Sequence, residues 1–134
     1  MAMRAILLLP LLAGCAGSQA PYSPARDVRY SALGQDPFWM VTIGDDSIVL
    51  TLGPAEGGKG KLSGHSYRRV LPRTVDGVRS WESADGTAVI MVEARPGPCT
   101  GSRGSRFEDE VRVRLSGREL HGCGGRRIET RGAR

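Results

Sequence analysis

An antiparallel all-β fold, a small barrel or sandwich of about eight short strands, is what the 134-residue sequence predicts. Three features predict it. Apolar and polar residues alternate with period two in short runs, and beyond residue 27 no stretch carries a 3.6-residue apolar period. Between the runs lie turn-forming clusters rich in glycine, of which the chain has 19. Hydrophobic residues make up 40% and charged residues 25%, so composition permits one modest globular core.

The elements follow in order. Residues 28–33 give the first predicted strand. Residues 38–43 (FWMVTI) and 47–52 (SIVLTL) flank the turn Gly44-Asp45-Asp46, with Ile48, Leu50 and Leu52 on one face. The glycine-rich stretch 53–64 reads as a loop, and 65–71 as a strand that Pro72 ends. Strands at 80–83 and 87–94 surround Ala84-Asp85-Gly86, and Ala88, Ile90, Val92 and Ala94 share a face. Val111, Val113 and Leu115 alternate with Arg112 and Arg114, the clearest half-buried strand. Ser116-Gly117 turns the chain into a last strand at 119–123, and 124–134 has no strand pattern. The expected organisation is a leader over 1–14, a tether over 15–27, one β domain over 28–126 and a tail over 127–134.

The leader reads MAMRAILLLPLLAGC. Arg4 precedes an apolar run over 5–12, far shorter than the ~20 residues a membrane-spanning helix needs, so it reads as an export signal. Leu12-Ala13-Gly14-Cys15 resembles the lipobox of bacterial lipoproteins. That resemblance implies cleavage before Cys15, a diacylglycerol thioether on its thiol and acylation of the freed amine. Several acyl chains, at ~0.8 kcal/mol per buried CH₂, anchor durably. Ala16 stands where aspartate would signal inner-membrane retention, which implies the periplasmic face of the outer membrane. The alternative is an ordinary secretory signal followed by a chance cysteine.

With Cys15 set aside, Cys99 and Cys123 remain, and an even pair in an exported domain reads as one disulfide. Closing its loop stabilises by roughly 3 kcal/mol in the chain-entropy model. His121 raises a zinc alternative, a poor one without C-x-x-C spacing. No metal and no cofactor is expected.

Net charge is +5, carried by 17 Arg and two Lys. Residues 15–94 hold eight basic and nine acidic side chains; 95–134 hold ten and five. Arginine forks bind phosphate and carboxylate bidentately, which makes Arg103, Arg106, Arg112 and Arg114 candidates for a partner-binding face. The export signal argues against nucleic acid. The expected partners are the membrane, through the N-terminal lipid, and an anionic envelope lipid or a protein.

Two segments together resemble a family of poorly characterised bacterial envelope proteins, many of them lipoproteins. Its members carry an early Ala-x-Gly-x-Glu/Asp-Pro-Phe-Trp motif and a late Cys…Gly-Cys pair. Here these are Ala32-Leu33-Gly34-Gln35-Asp36-Pro37-Phe38-Trp39, and Cys99 with His121-Gly122-Cys123. The likeness covers most of residues 28–126. It departs after Cys99, where relatives often have an Asp-Gly-Met-Ser-Asp-like loop and this chain has Thr100-Gly101-Ser102-Arg103. Within the early motif, Gly34 is expected to allow a turn, and either Phe38 or Trp39 to anchor the core. The alternative leaves Trp39 exposed as a stacking platform.

No nucleophile–base–orienter set stands out, and the protein is expected not to be an enzyme. His65 and His121 are the only histidines. Ser63-Gly64-His65-Ser66-Tyr67 lacks a nucleophile elbow, and the glycine-rich stretch 53–61 is no phosphate-binding loop. Asp45-Asp46 reads as a turn, and Glu108-Asp109-Glu110 as a solvated, salt-bridged edge. Three functions fit: a tethered binding module, a structural lipoprotein for envelope integrity, or an inhibitor of c-type lysozyme. The last rests on the Ser-Gly-x-x-Tyr spacing at 63–67, although a basic inhibitor suits a basic enzyme poorly.

Overall fold

The computed structural model describes residues 29–54 and 60–129. The leader, Cys15 and the expected tether lie outside the described residues. Nine strands are formed: β1 (Tyr30–Gly34), β2 (Trp39–Ile43), β3 (Ser47–Leu52), β4 (Ser63–Arg68), β5 (Arg73–Val75), β6 (Val78–Asp85), β7 (Ala88–Thr100), β8 (Arg106–Leu115) and β9 (Arg118–Ile128). They make one antiparallel sheet, in the order β4-β3-β2-β1-β9-β8-β7-β6-β5, curled into a half-barrel. The all-β expectation holds.

This order is the chain order read around a circle and cut between β4 and β5. Two meanders, β1–β4 and β5–β9, are joined where β1 pairs with β9 at Ala32↔Gly124 and Leu33↔Cys123. Every pairing is antiparallel, so counting round the sheet leaves β4 and β5 running the same way. They cannot complete an antiparallel ladder. Instead the curl brings β4 against β6, which runs the opposite way. There the Ser83 hydroxyl donates to the Arg68 carbonyl, beyond the three residues of β6 that pair with β5. Eight strands thus curl around the core, and β5 extends from β6 as a flap.

The core is built from alternate residues. Trp39, Val41, Ile43, Ile48, Leu50, Trp81, Ile90, Val92 and Val113 are essentially inaccessible. Trp39 is therefore the core member of the Phe38-Trp39 pair, which overturns the reading of an exposed stacking platform; Phe38 is half-buried. The indole needs space that glycines leave. A Cβ at Gly34 or at Gly122 would overlap the Trp39 ring, and at Gly122 it would also overlap the Leu33 carbonyl. Trp39 Nε1 donates to the His121 carbonyl at 3.2 Å. Gly34 is thus a strand residue, opposite Trp39, and the turn falls on the four residues that follow.

Several boundaries differ from expectation. Residues 73–85 form a β5–β6 hairpin around Asp76-Gly77, whose φ values of 50° and 79° suit a two-residue type I′ turn. β7 runs past Pro96 to Thr100, and β8 begins at Arg106. The patternless stretch after Cys123 continues β9 to Ile128, so the domain boundary expected at 126 falls inside a strand. Two bulges explain the extensions of β7 and β9. Between Pro96 and Cys99, β7 advances three residues while β8 advances two. Between Gly124 and Arg127, β9 does the same. Both extra residues lie level with Glu108, and each breaks the period-two pattern that would have marked the strand.

A Gly122→Ala substitution is expected to destabilise the domain by about 1–3 kcal/mol through overpacking. The check is urea unfolding, read as a lower midpoint at unchanged slope; an unchanged midpoint would contradict the packing described.

Candidate functional site

Cys99 and Cys123 are bonded, with Sγ–Sγ 1.97 Å and Cα–Cα 5.5 Å. The thiols expected to pair do so, and they are not thiolate ligands for zinc. β7 and β9 flank β8, and in a flat sheet strands two apart are separated by roughly 9–10 Å. The shorter span arises because the paired bulges fold the end of β7 over the sheet. Cys123 stands opposite exposed Glu110 on β8 and half-buried Leu33 on β1. That face points away from the core, so the disulfide lies on the outward side of the sheet, where Cys123 is nevertheless buried and Cys99 half-buried.

Two adjoining concavities meet there. One, of about 360 Å³, is lined by Glu93, Arg95, Cys99, Glu110 and Arg112 among others. The second, of about 460 Å³, is lined by Gln35, Asp36, Gly101 and Ser102. Thr100, His121, Gly122 and Cys123 border both. The early motif supplies one wall through Gln35 and Asp36, and the late motif supplies the floor. Segments some 85 residues apart in sequence, from Gln35 to His121, thereby converge on one groove.

The four candidate arginines are spread out: Arg106, Arg112 and Arg114 share the outward face of β8, but Arg106 stands at its far end. Arg112 and Arg114 sit side by side on β8, between two carboxylates. Arg112 Nε lies 3.1 Å from Glu119 and its Nη1 3.9 Å from Glu93. Arg114 Nε lies 3.5 Å from Glu119 and its Nη1 4.0 Å from Glu93. His121 Nε2 lies 2.9 Å from Glu119. This ladder spans β7, β8 and β9 and leaves little bare positive charge. Arg106 starts β8 at its other end, and Arg103 lies in the single turn Ser102–Gly104 at φ 58°. Both are exposed.

The acidic run 108–110 is not uniformly solvated. Asp109 is 4% exposed and accepts hydrogen bonds from Tyr30 Oη at 2.8 Å and Arg79 Nη2 at 3.1 Å. The Arg79 guanidinium lies 5.0 Å from the Tyr30 ring centroid and 5.6 Å from that of Trp81. Those two rings stack at 5.0 Å. A buried carboxylate thus has a cation and a phenol as partners, as burial of charge requires. The signal existed in the sequence: Val113 and Val111 extended back by two put Asp109 on the core face. Its acidic neighbours hid it. Glu108 and Glu110 point outward, and the Arg126 backbone N–H, then its side chain, hold the Glu108 carboxyl below the usual range.

Other motifs take structural places. Asp45, in the β2–β3 turn, accepts from Arg29 Nη2 at 2.6 Å, and its carbonyl accepts from Arg69. Ser63-Gly64-His65-Ser66-Tyr67 is the body of β4, with Tyr67 buried and the others exposed. Among the described residues, no group of three or more His, Cys, Asp or Glu side chains could hold a metal ion.

Burial, reinforced by the hydrogen bond to Asp109, raises the Tyr30 phenol well above its ordinary pKa. The sign follows. Once pH exceeds the unfolded tyrosine value near 10, the unfolded chain releases this proton and the folded chain keeps it, so stability falls with rising pH. Tyr30→Phe should flatten that fall above about pH 10, read from denaturation midpoints at pH 8 to 11. An unchanged slope would contradict the burial. At neutral pH, Asp109→Ala should cost about 1.5–3 kcal/mol, the range for hydrogen bonds to a charged group, measured by the same method. Comparison with protein-family models, curated proteins and solved structures found no match.

Proposed function

We propose that this protein is a lipid-anchored cell-envelope module without enzymatic activity, which binds a partner through the groove beside its disulfide. The observation that carries the reading is the bonded Cys99–Cys123 pair. Such bonds persist in oxidising compartments, and that is where the leader and Cys15 would deliver the chain. The Leu12–Cys15 segment supports attachment through lipid on Cys15, and Ala16 supports the periplasmic face of the outer membrane. Resemblance to the envelope family through residues 32–39 and 99–123 points the same way.

Convergence of the two motif segments on one groove favours binding over a purely structural role. The pairing of Arg112 and Arg114 with Glu93 and Glu119 favours a protein partner over anionic lipid. A lipid contact would fall to Arg103 and Arg106, for which no carboxylate partner exists among the described residues. Inhibition of c-type lysozyme gains no support, because the tyrosine of its five-residue likeness is buried.

Cys15→Ser should abolish incorporation of a labelled fatty acid in a bacterial host and move the protein from the membrane to the soluble fraction. Label retained by the variant, or none on the original chain, rejects the anchor. With the anchor removed, purified Cys15→Ser protein should bind anionic vesicles weakly, and 0.5 M salt should abolish what binding remains, as screening over about 4–5 Å implies. Tight, salt-resistant binding would overturn the preference for a protein partner.

A further inference from the structure

We propose that the Cys99–Cys123 bond is a thiol–disulfide exchange site, opened in the folded protein by a dithiol that attacks Cys99 Sγ from the outer groove. The bond lies on the outward-facing side of the sheet, and both cysteines line the concavity of about 360 Å³. The two cysteines are unequal. Cys99 is half-buried on the folded-over end of β7, whereas Cys123 is 3% exposed. Cys99 is therefore the more accessible residue of the pair and the one an incoming thiolate meets.

Charge does not bar the approach. Arg95 and Arg112 line the concavity together with Glu93 and Glu110, so the cations and carboxylates balance. Nor does the fold depend on the bond for its local geometry. β8 pairs with β7 at Cys99↔Phe107 and Thr100↔Arg106, and with β9 at Glu110↔Cys123. These ladders do not run through the sulfurs, so opening the bond is expected to leave the sheet paired and the exchange reversible.

In the first step the dithiol's thiolate bonds to Cys99 Sγ, the Sγ–Sγ bond breaks, and its electron pair leaves on Cys123, which takes up a proton. The reagent's second thiol, as thiolate, then attacks the reagent sulfur of the mixed disulfide and releases Cys99. The dithiol is oxidised to its disulfide, and the cysteine pair gains two electrons.

The test uses the oxidised chain and dithiothreitol as the probe. Free thiols are counted by acid quench, alkylation and mass spectrometry while circular dichroism follows the sheet. Opening is expected to be proportional to dithiothreitol concentration, faster than global unfolding and without loss of sheet signal. Opening that is independent of dithiothreitol concentration and no faster than unfolding would overturn the proposal. As a second measure, glutathione disulfide should label Cys99 in Cys123→Ser about tenfold faster than Cys123 in Cys99→Ser, reflecting access. Equal or reversed rates would overturn the assignment of the attacked sulfur.

Discussion

The fold depends on Trp39 filling the space that Gly34 and Gly122 leave open. Its ring sits where the two meanders meet, and β1 pairs with β9 through only two residue pairs there. A large aromatic side chain buries more apolar surface than any other single residue. The bond from its indole N–H to the His121 carbonyl ties β2 to β9, strands that are not neighbours. Gly124 continues the same logic, since a Cβ there would crowd the Tyr30 hydroxyl and Ala32. The early and late sequence motifs are thus two halves of one packing arrangement before they are anything else.

The same junction places the polar features. Glu108 lies level with both bulges; beside it, Asp109 turns inward to Tyr30 and Arg79, while Cys99 swings outward to Cys123. One irregularity therefore produces both the buried charge cluster and the disulfide. The two polar systems differ in weight. Arg112, Arg114, Glu93 and Glu119 are substantially exposed, and such pairs contribute about 0–1 kcal/mol each. Asp109 is enclosed, so loss of its partners leaves a charge that water cannot reach.

Regular strands were legible, and irregular ones were not. Ile48 and Leu50, Ile90 and Val92, and Val111 and Val113 alternate cleanly, and each pair faces the core as its period requires. The ends of β7 and β9 were invisible because a bulge shifts inward and outward positions by one, and Pro96, Pro98 and Gly125 resemble loop residues. The hairpin at Asp76-Gly77 was legible in principle, since that dipeptide favours two successive positive φ values, but its flanking strand β5 has three exposed residues and no apolar face. The cysteine pair followed from counting. The groove did not, because it forms where a distant turn happens to meet the folded-over end of β7.

The flap formed by β5 carries a consequence for how such a chain can vary. Only oppositely directed strands can complete an antiparallel ladder, and of the nine it is β4 and β6 that face each other at Ser83 and Arg68. β5 is therefore exempt from the rule that binds the others. β5 and the Asp76-Gly77 turn can grow, shrink or change sequence while the remaining staves keep their register. They mark the rim where added length would disturb the enclosed interior least.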